Sequence, residues 1–228
     1  MSVQDQDQGY AKPIRIFHSV FACCIIVQLS IGEFMDVPEV HDEAKISSLA
    51  WITPAVAHEQ HHDEAMPATS GPVEESLGFE VHEILGLTIA VLLVIRIFLA
   101  MTSLPGANWR YIFPWLFASG RKQLSDEIKL QMAGWKTFKL ARPEDGEAVA
   151  RSTHGLILLS ALVMGITGTL LYFGWSTTAP QVGWVEMVAE IHEAVVGALE
   201  ALLAVHIMAV ILHQRQGHQI IDRIKPMT

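Results

Sequence analysis

Charge is scarce in these 228 residues: Asp, Glu, Lys and Arg make up 17% of the chain, where soluble domains carry about 25%. Cysteine is scarcer still. The only two, Cys23 and Cys24, are adjacent inside an apolar run, which excludes a disulfide scaffold and marks them as packing residues. The glycines follow no three-residue period, which excludes a collagen-like chain. Basic residues number 15 against 24 acidic ones, and the net charge of −9 excludes nucleic acid as a partner. Neither GxGxxG nor GxSxG occurs and no phosphate loop is present, so the common nucleotide-binding and hydrolytic motifs are missing. The chain has no internal repeat. Its first apolar run lacks the basic lead and the A-x-A exit of a cleavable signal peptide.

What is abundant is oil. Hydrophobic residues reach 51% and the mean hydropathy is +0.34. A membrane-spanning helix needs about 20 apolar residues, and four runs qualify, over 14–35, 81–101, 153–175 and 190–213. These predict an all-α, four-helix transmembrane bundle forming one domain over 1–228. Loop charges then set the orientation. With both termini and the 102–152 loop on one side, that side holds thirteen of the fifteen basic residues, whereas the 36–76 loop has Lys45 alone against nine carboxylates. The positive-inside rule therefore predicts cytoplasmic termini and a periplasmic 36–76 loop in a bacterial inner membrane. Within the cytoplasmic loop, Arg110–Phe117 and Leu124–Leu140 mix aromatic and basic residues, as amphipathic segments on a membrane surface do.

Six of the eleven histidines fall in or at the ends of these runs: His18, His82, His154, His192, His206 and His213. Ionisable groups in a membrane are costly and mark functional sites. His192 and His206 are fourteen residues apart, about four turns or ~21 Å, on one face to within ~40°. His82 opens the second run level with His192, and His18 enters the first level with His206, giving two transverse pairs. Neutral imidazole is a common axial ligand of haem iron, and facing helices of a bundle are where such sites are built. A zinc or copper site is the rival reading, although those metals favour clustered ligands. Gly86, one turn past His82, leaves room for a flat ring. Gly165 and Gly168 share the face of His154, with ordinary helix packing as the competing explanation. Arg96, fourteen residues past His82, is expected either to pair with a haem propionate or to snorkel to the interface.

The strings IRIFH in the first run, HEILG and VIR in the second, HGLILL and GITG in the third, and IHE, VH and LH in the fourth resemble the bacterial cytochrome b561 family. They are also similar to the b-type cytochrome subunit of membrane nickel–iron hydrogenases. The resemblance implies two b haems, each held by two histidines, and electron exchange with quinone. Carried over residue by residue, it assigns His82 and His192 to the outer haem and His18 and His206 to the inner. His154 and His213 match family histidines that are not axial ligands, which leaves propionate contact, proton transfer or a quinone pocket as their roles. The chain departs from the family in Ser19, where many members have Trp, and in the length of its outer loop.

The leading expectation is thus a dihaem electron-transfer component of a quinone-linked oxidoreductase. It would link the quinone pool to a periplasmic redox partner, either a c-type cytochrome or an iron–sulfur, hydrogenase-type subunit. A stand-alone oxidoreductase passing electrons from superoxide to quinone is the alternative, and a non-haem metal transporter or sensor is a third. Glu83 and Glu193 adjoin proposed ligands and are candidate proton carriers, with plain interfacial carboxylates as the competing reading. Glu200, about two turns into the last helix, is expected to face the bundle or a water-filled cavity. In the outer loop, His58, His61 and His62 with Glu59, Asp63 and Glu64 form either a metal-binding tract, a solvated acidic segment, or a negative surface that steers a basic partner.

Overall fold

A computed structural model of the chain describes residues 10–35, 76–104, 106–135, 147–175 and 183–225. Among them are six helices and no strand: α1 Lys12–Phe34, α2 Leu77–Ala100, α3 Trp109–Ile112, α4 Ala118–Trp135, α5 Glu147–Gly174 and α6 Gly183–Arg215. Short 3-10 turns cover Pro114–Leu116 and Ile220–Arg223. The histidine-rich tract with His58, His61 and His62 lies outside the described residues.

Four helices, α1, α2, α5 and α6, are long and apolar enough to cross a membrane, with mean hydropathies of 1.9, 2.4, 2.1 and 2.4. Their outward faces carry Val27, Val91, Val94, Ile166, Val205 and Met208, all exposed. An apolar surface of that extent belongs in lipid, where backbone groups satisfied inside each helix also cost least. The chain is a multi-pass helical membrane protein. α5 and α6 start earlier than the apolar runs, at Glu147 and Gly183, and reach 28 and 33 residues. At 1.5 Å per residue they exceed the ~30 Å hydrocarbon layer. Their first turns hold Glu147 and Glu186, and the turns after them Arg151 and Glu190, so hydropathy alone begins each helix too late.

Consecutive spans pack on one another, α1 on α2, α2 on α5 and α5 on α6. A seven-residue rhythm organises the interior. Along the chain it reads His18, Ile25, Gly32 on α1; His82, Ile89, Arg96 on α2; His154, Ala161, Gly168 on α5; and His192, Leu199, His206 on α6. Seven residues are nearly two turns, so each triplet keeps one face with a drift of ~20° per step. The middle members, Ile25, Ile89, Ala161 and Leu199, meet with Leu93 in one buried apolar cluster. The other members form two polar layers, one on each side of it.

One end of the bundle carries the first and last described residues, the described termini: the Arg15 guanidinium donates to the Lys225 carbonyl, and Tyr10 packs against Gly106 in the turn after α2. Gly106 has φ of +77°, which a side chain would strain. A collar of α3, the 3-10 turn and α4 covers this end. Glu127 of α4, only 8% exposed, accepts from the Val149 amide at 2.9 Å and the Gln123 amide at 2.9 Å. It thereby satisfies an amide in the open first turn of α5. Tyr111 donates to Glu147 at 2.6 Å, and Arg151 lies over the Tyr111 ring at 4.6 Å. Gly155 lets the collar sit this close, because a Cβ there would be 2.6 Å from both the Ile112 carbonyl oxygen and the Trp115 ring.

Candidate functional site

The layer remote from the termini contains His82, His192, Gly32 and Gly168. Each imidazole faces a glycine of the adjacent helix. A Cβ at position 32 would stand 3.2 Å from His82 Cε1, and one at position 168 would stand 3.3 Å from His192 Cε1. His82 and His192 lie within electrostatic reach of each other. His192 Nδ1 is 2.7 Å from Thr167 Oγ1. His82 Nδ1 has a different setting: it is buried with no hydrogen-bond partner among the described residues. Gln28 donates to the His82 carbonyl at 3.0 Å, and its own Oε1 is likewise buried and unsatisfied. Gly86 serves this amide, since a Cβ there would meet Gln28 Nε2 at 3.2 Å.

Nearer the termini, His18, His154, His206 and Arg96 share the second polar layer. His154 and His206 make an edge-to-face ring contact, with centroids 4.9 Å apart. His18 lies within electrostatic reach of both, and Arg96 within reach of His154. Arg96 does not snorkel; at 8% exposure it turns inward and donates to the Ala107 carbonyl at 3.1 Å. An apolar cavity of about 280 Å³ opens beside it, walled by Leu93, Trp109, Phe113, Leu158 and Leu162.

The remaining candidates stand apart. His213 meets His218 instead of the layer, Nδ1 to Nδ1 at 2.9 Å. Gly217, at φ +81°, turns the chain back to make that contact. Gly165 abuts Leu93 and Ala90 of α2, which is helix packing. Glu200 corrects an expectation: it is exposed on the outer face of α6, because Leu199 holds the inward position of that turn. Glu193 is also exposed and Glu83 half-buried. Sequence reasoning missed Thr167, Gln28 and Gly32. Only Gly32 had a usable signal, its fourteen-residue spacing from His18.

The chemistry open to this arrangement is that of paired neutral imidazoles at two depths in low dielectric. Among the described residues no three His, Cys, Asp or Glu side chains cluster as a bare metal ion would require. Two imidazoles, each beside a glycine of the adjacent helix, suit a porphyrin, whose iron they would hold. The donor set therefore fits haem. A family model described as prokaryotic cytochrome b561 matches residues 9–227. No curated protein and no solved structure matches the chain.

Proposed function

The chain belongs to the prokaryotic cytochrome b561 family, a b-type membrane cytochrome that binds haem b and transfers electrons, and from that premise we propose that it holds two haems at different depths. In this reading His82 and His192 hold one and His18 and His206 the other. The observation that carries it is the pair of histidine-bearing layers separated by Ile25, Ile89, Ala161 and Leu199. Haem supplies reversible one-electron reduction. What the chain supplies is orientation of the imidazoles, an apolar spacer, and the charge of Arg96 beside the layer nearer the termini. On α6 the two layers are fourteen residues apart, ~21 Å along the axis, so the pair would carry electrons across much of the bilayer.

The thirteen basic residues on the terminus-bearing side favour cytoplasmic termini in a bacterial inner membrane. His82 and His192 then belong to the periplasmic half. Quinone is the proposed membrane-soluble partner, and the cavity beside Arg96 offers a recess with a cationic donor at its wall. The periplasmic partner is proposed to be a c-type cytochrome or an iron–sulfur, hydrogenase-type subunit. The acidic 36–76 segment, with nine carboxylates to one lysine, would favour a basic docking surface.

The test is a redox titration of the purified protein followed by optical spectroscopy. Two b-type components with separate midpoint potentials are expected. A single component would reduce the assignment to one histidine pair, and a colourless protein expressed with ample haem would overturn it.

A further inference from the structure

In the layer remote from the termini, His192 and Thr167 make a close polar contact between helices, 2.7 Å between Nδ1 and Oγ1. Which atom donates follows from the other neighbours of the hydroxyl. Thr167 Oγ1 lies 2.8 Å from the Val163 carbonyl oxygen and 3.2 Å from that of Met164. Both carbonyls can only accept, so the hydroxyl proton points to them along the helix. Had it pointed to His192 instead, oxygen lone pairs would face each other at 2.8 Å in a dry interior. The one pattern in which every close contact joins a donor to an acceptor has His192 Nδ1–H donating to Thr167 Oγ1. The hydrogen on Nδ1 leaves Nε2 of the neutral ring bare.

We propose that Thr167 is the positioning residue of His192, fixing the tautomer and ring angle that present Nε2 to the iron. This rests on the reading of His192 as an axial ligand and deepens it. Thr167 sits inward on α5, 6% exposed, and the next residue is Gly168, the close-approach position beneath the same ring. One helix edge thus supplies both the hydrogen-bond acceptor and the space. A histidine ligand whose far nitrogen is hydrogen-bonded is a stronger electron donor and stabilises the oxidised metal. His82, whose Nδ1 has no partner among the described residues, lacks that assistance. The two imidazoles of one haem would then differ in basicity, with His192 the stronger.

Thr167→Val keeps the shape and removes the acceptor, while Thr167→Ser keeps the acceptor and removes a methyl. Both variants are purified with haem bound and titrated by optical and electron-spin spectroscopy beside the wild type. In Thr167→Val one haem should move to higher midpoint potential with altered low-spin g-values, the second haem should stay unmoved, and Thr167→Ser should match the wild type. If Thr167→Val loses one haem outright while Thr167→Ser keeps it at the wild-type potential, the hydroxyl is again what matters. Unchanged potentials and g-values in Thr167→Val, or a shift of equal size in Thr167→Ser, would overturn the proposal and leave the dihaem reading intact. A wild type without two bis-imidazole signals would instead bring down the reading on which it rests.

Discussion

The two polar layers solve one problem in different ways. The layer remote from the termini draws two histidines and two glycines from its four helices, so its room comes from missing side chains. The layer nearer the termini draws three histidines and an arginine, and nothing there is small. Its polar groups have partners within the layer and beyond it: His154 stands edge-on to His206, and Arg96 reaches out to the Ala107 carbonyl in the turn after α2. The remote layer should therefore respond to added volume and the near layer to lost polarity. If each layer holds one iron through two imidazoles, as proposed, the near layer has one imidazole more than it needs and the remote layer has none to spare.

The largest effects should come from the imidazoles themselves. His82→Ala or His192→Ala should each abolish the same haem, and His18→Ala or His206→Ala the other, read as loss of about half the reducible absorbance. His154→Ala should keep both haems while shifting the near one. If it removed the near haem and His206→Ala did not, the pairing would have to be redrawn through α5.

Arg96→Met comes next. It removes a buried cation and leaves the Ala107 carbonyl, itself 0% exposed, without its donor. A cost of about 1–3 kcal/mol is expected, measurable as lower thermal stability in detergent. Loss of the positive charge should also lower the near haem's midpoint potential and spare the remote one. A shift confined to the remote haem would contradict the layering.

Volume is the complementary probe. Gly32→Ala would put a methyl 3.2 Å from His82 Cε1, and Gly168→Ala one 3.3 Å from His192 Cε1. Each ring has to give by tenths of an ångström, at about 1 kcal/mol, the low end of overpacking costs. Only the remote haem's spectrum should broaden or shift. Gly155→Ala is the control, because there the new methyl meets the Ile112 backbone. It should destabilise the collar with little effect on the remote haem.

The four spans were legible because lipid imposes one crude demand, about 20 apolar residues in a row, and periodicity placed the histidines on their helices. Contacts between helices were less legible. Thr167 reads as an ordinary helix residue until α6 brings His192 beside it, and Gln28 reads as a stray polar group until α2 supplies the His82 carbonyl. Glu200 was misread for a related reason. Depth in the membrane can be counted from the sequence, but a one-residue step rotates a side chain by ~100°, and Leu199 already held the inward direction. Cys24 packs against the core cluster while the neighbouring Cys23 is exposed, the same one-step rotation on α1.

The smallest expected effect concerns pH, and it again separates the two ends. Burial first, and then the hydrogen bond to Glu147, push the Tyr111 hydroxyl above its ordinary value of 10.0. Tyr10, at the same end of the bundle, is raised as well, by burial and then by Glu147. A raised folded-state value means the folded chain holds the proton more tightly. The stability it contributes is fully present below pH 10 and drains away as pH climbs from there towards the folded value. Because Tyr111 is partly solvated, the amount is on the order of 1 kcal/mol or less. Alkaline titration should therefore perturb the near haem at a lower pH than the remote one. Tyr111→Phe, which has no proton to lose, should narrow that gap. Equal alkaline sensitivity of the two haems in the wild type would mean that the collar and the near layer are not mechanically connected, despite the backbone contact at Gly155, one residue from His154.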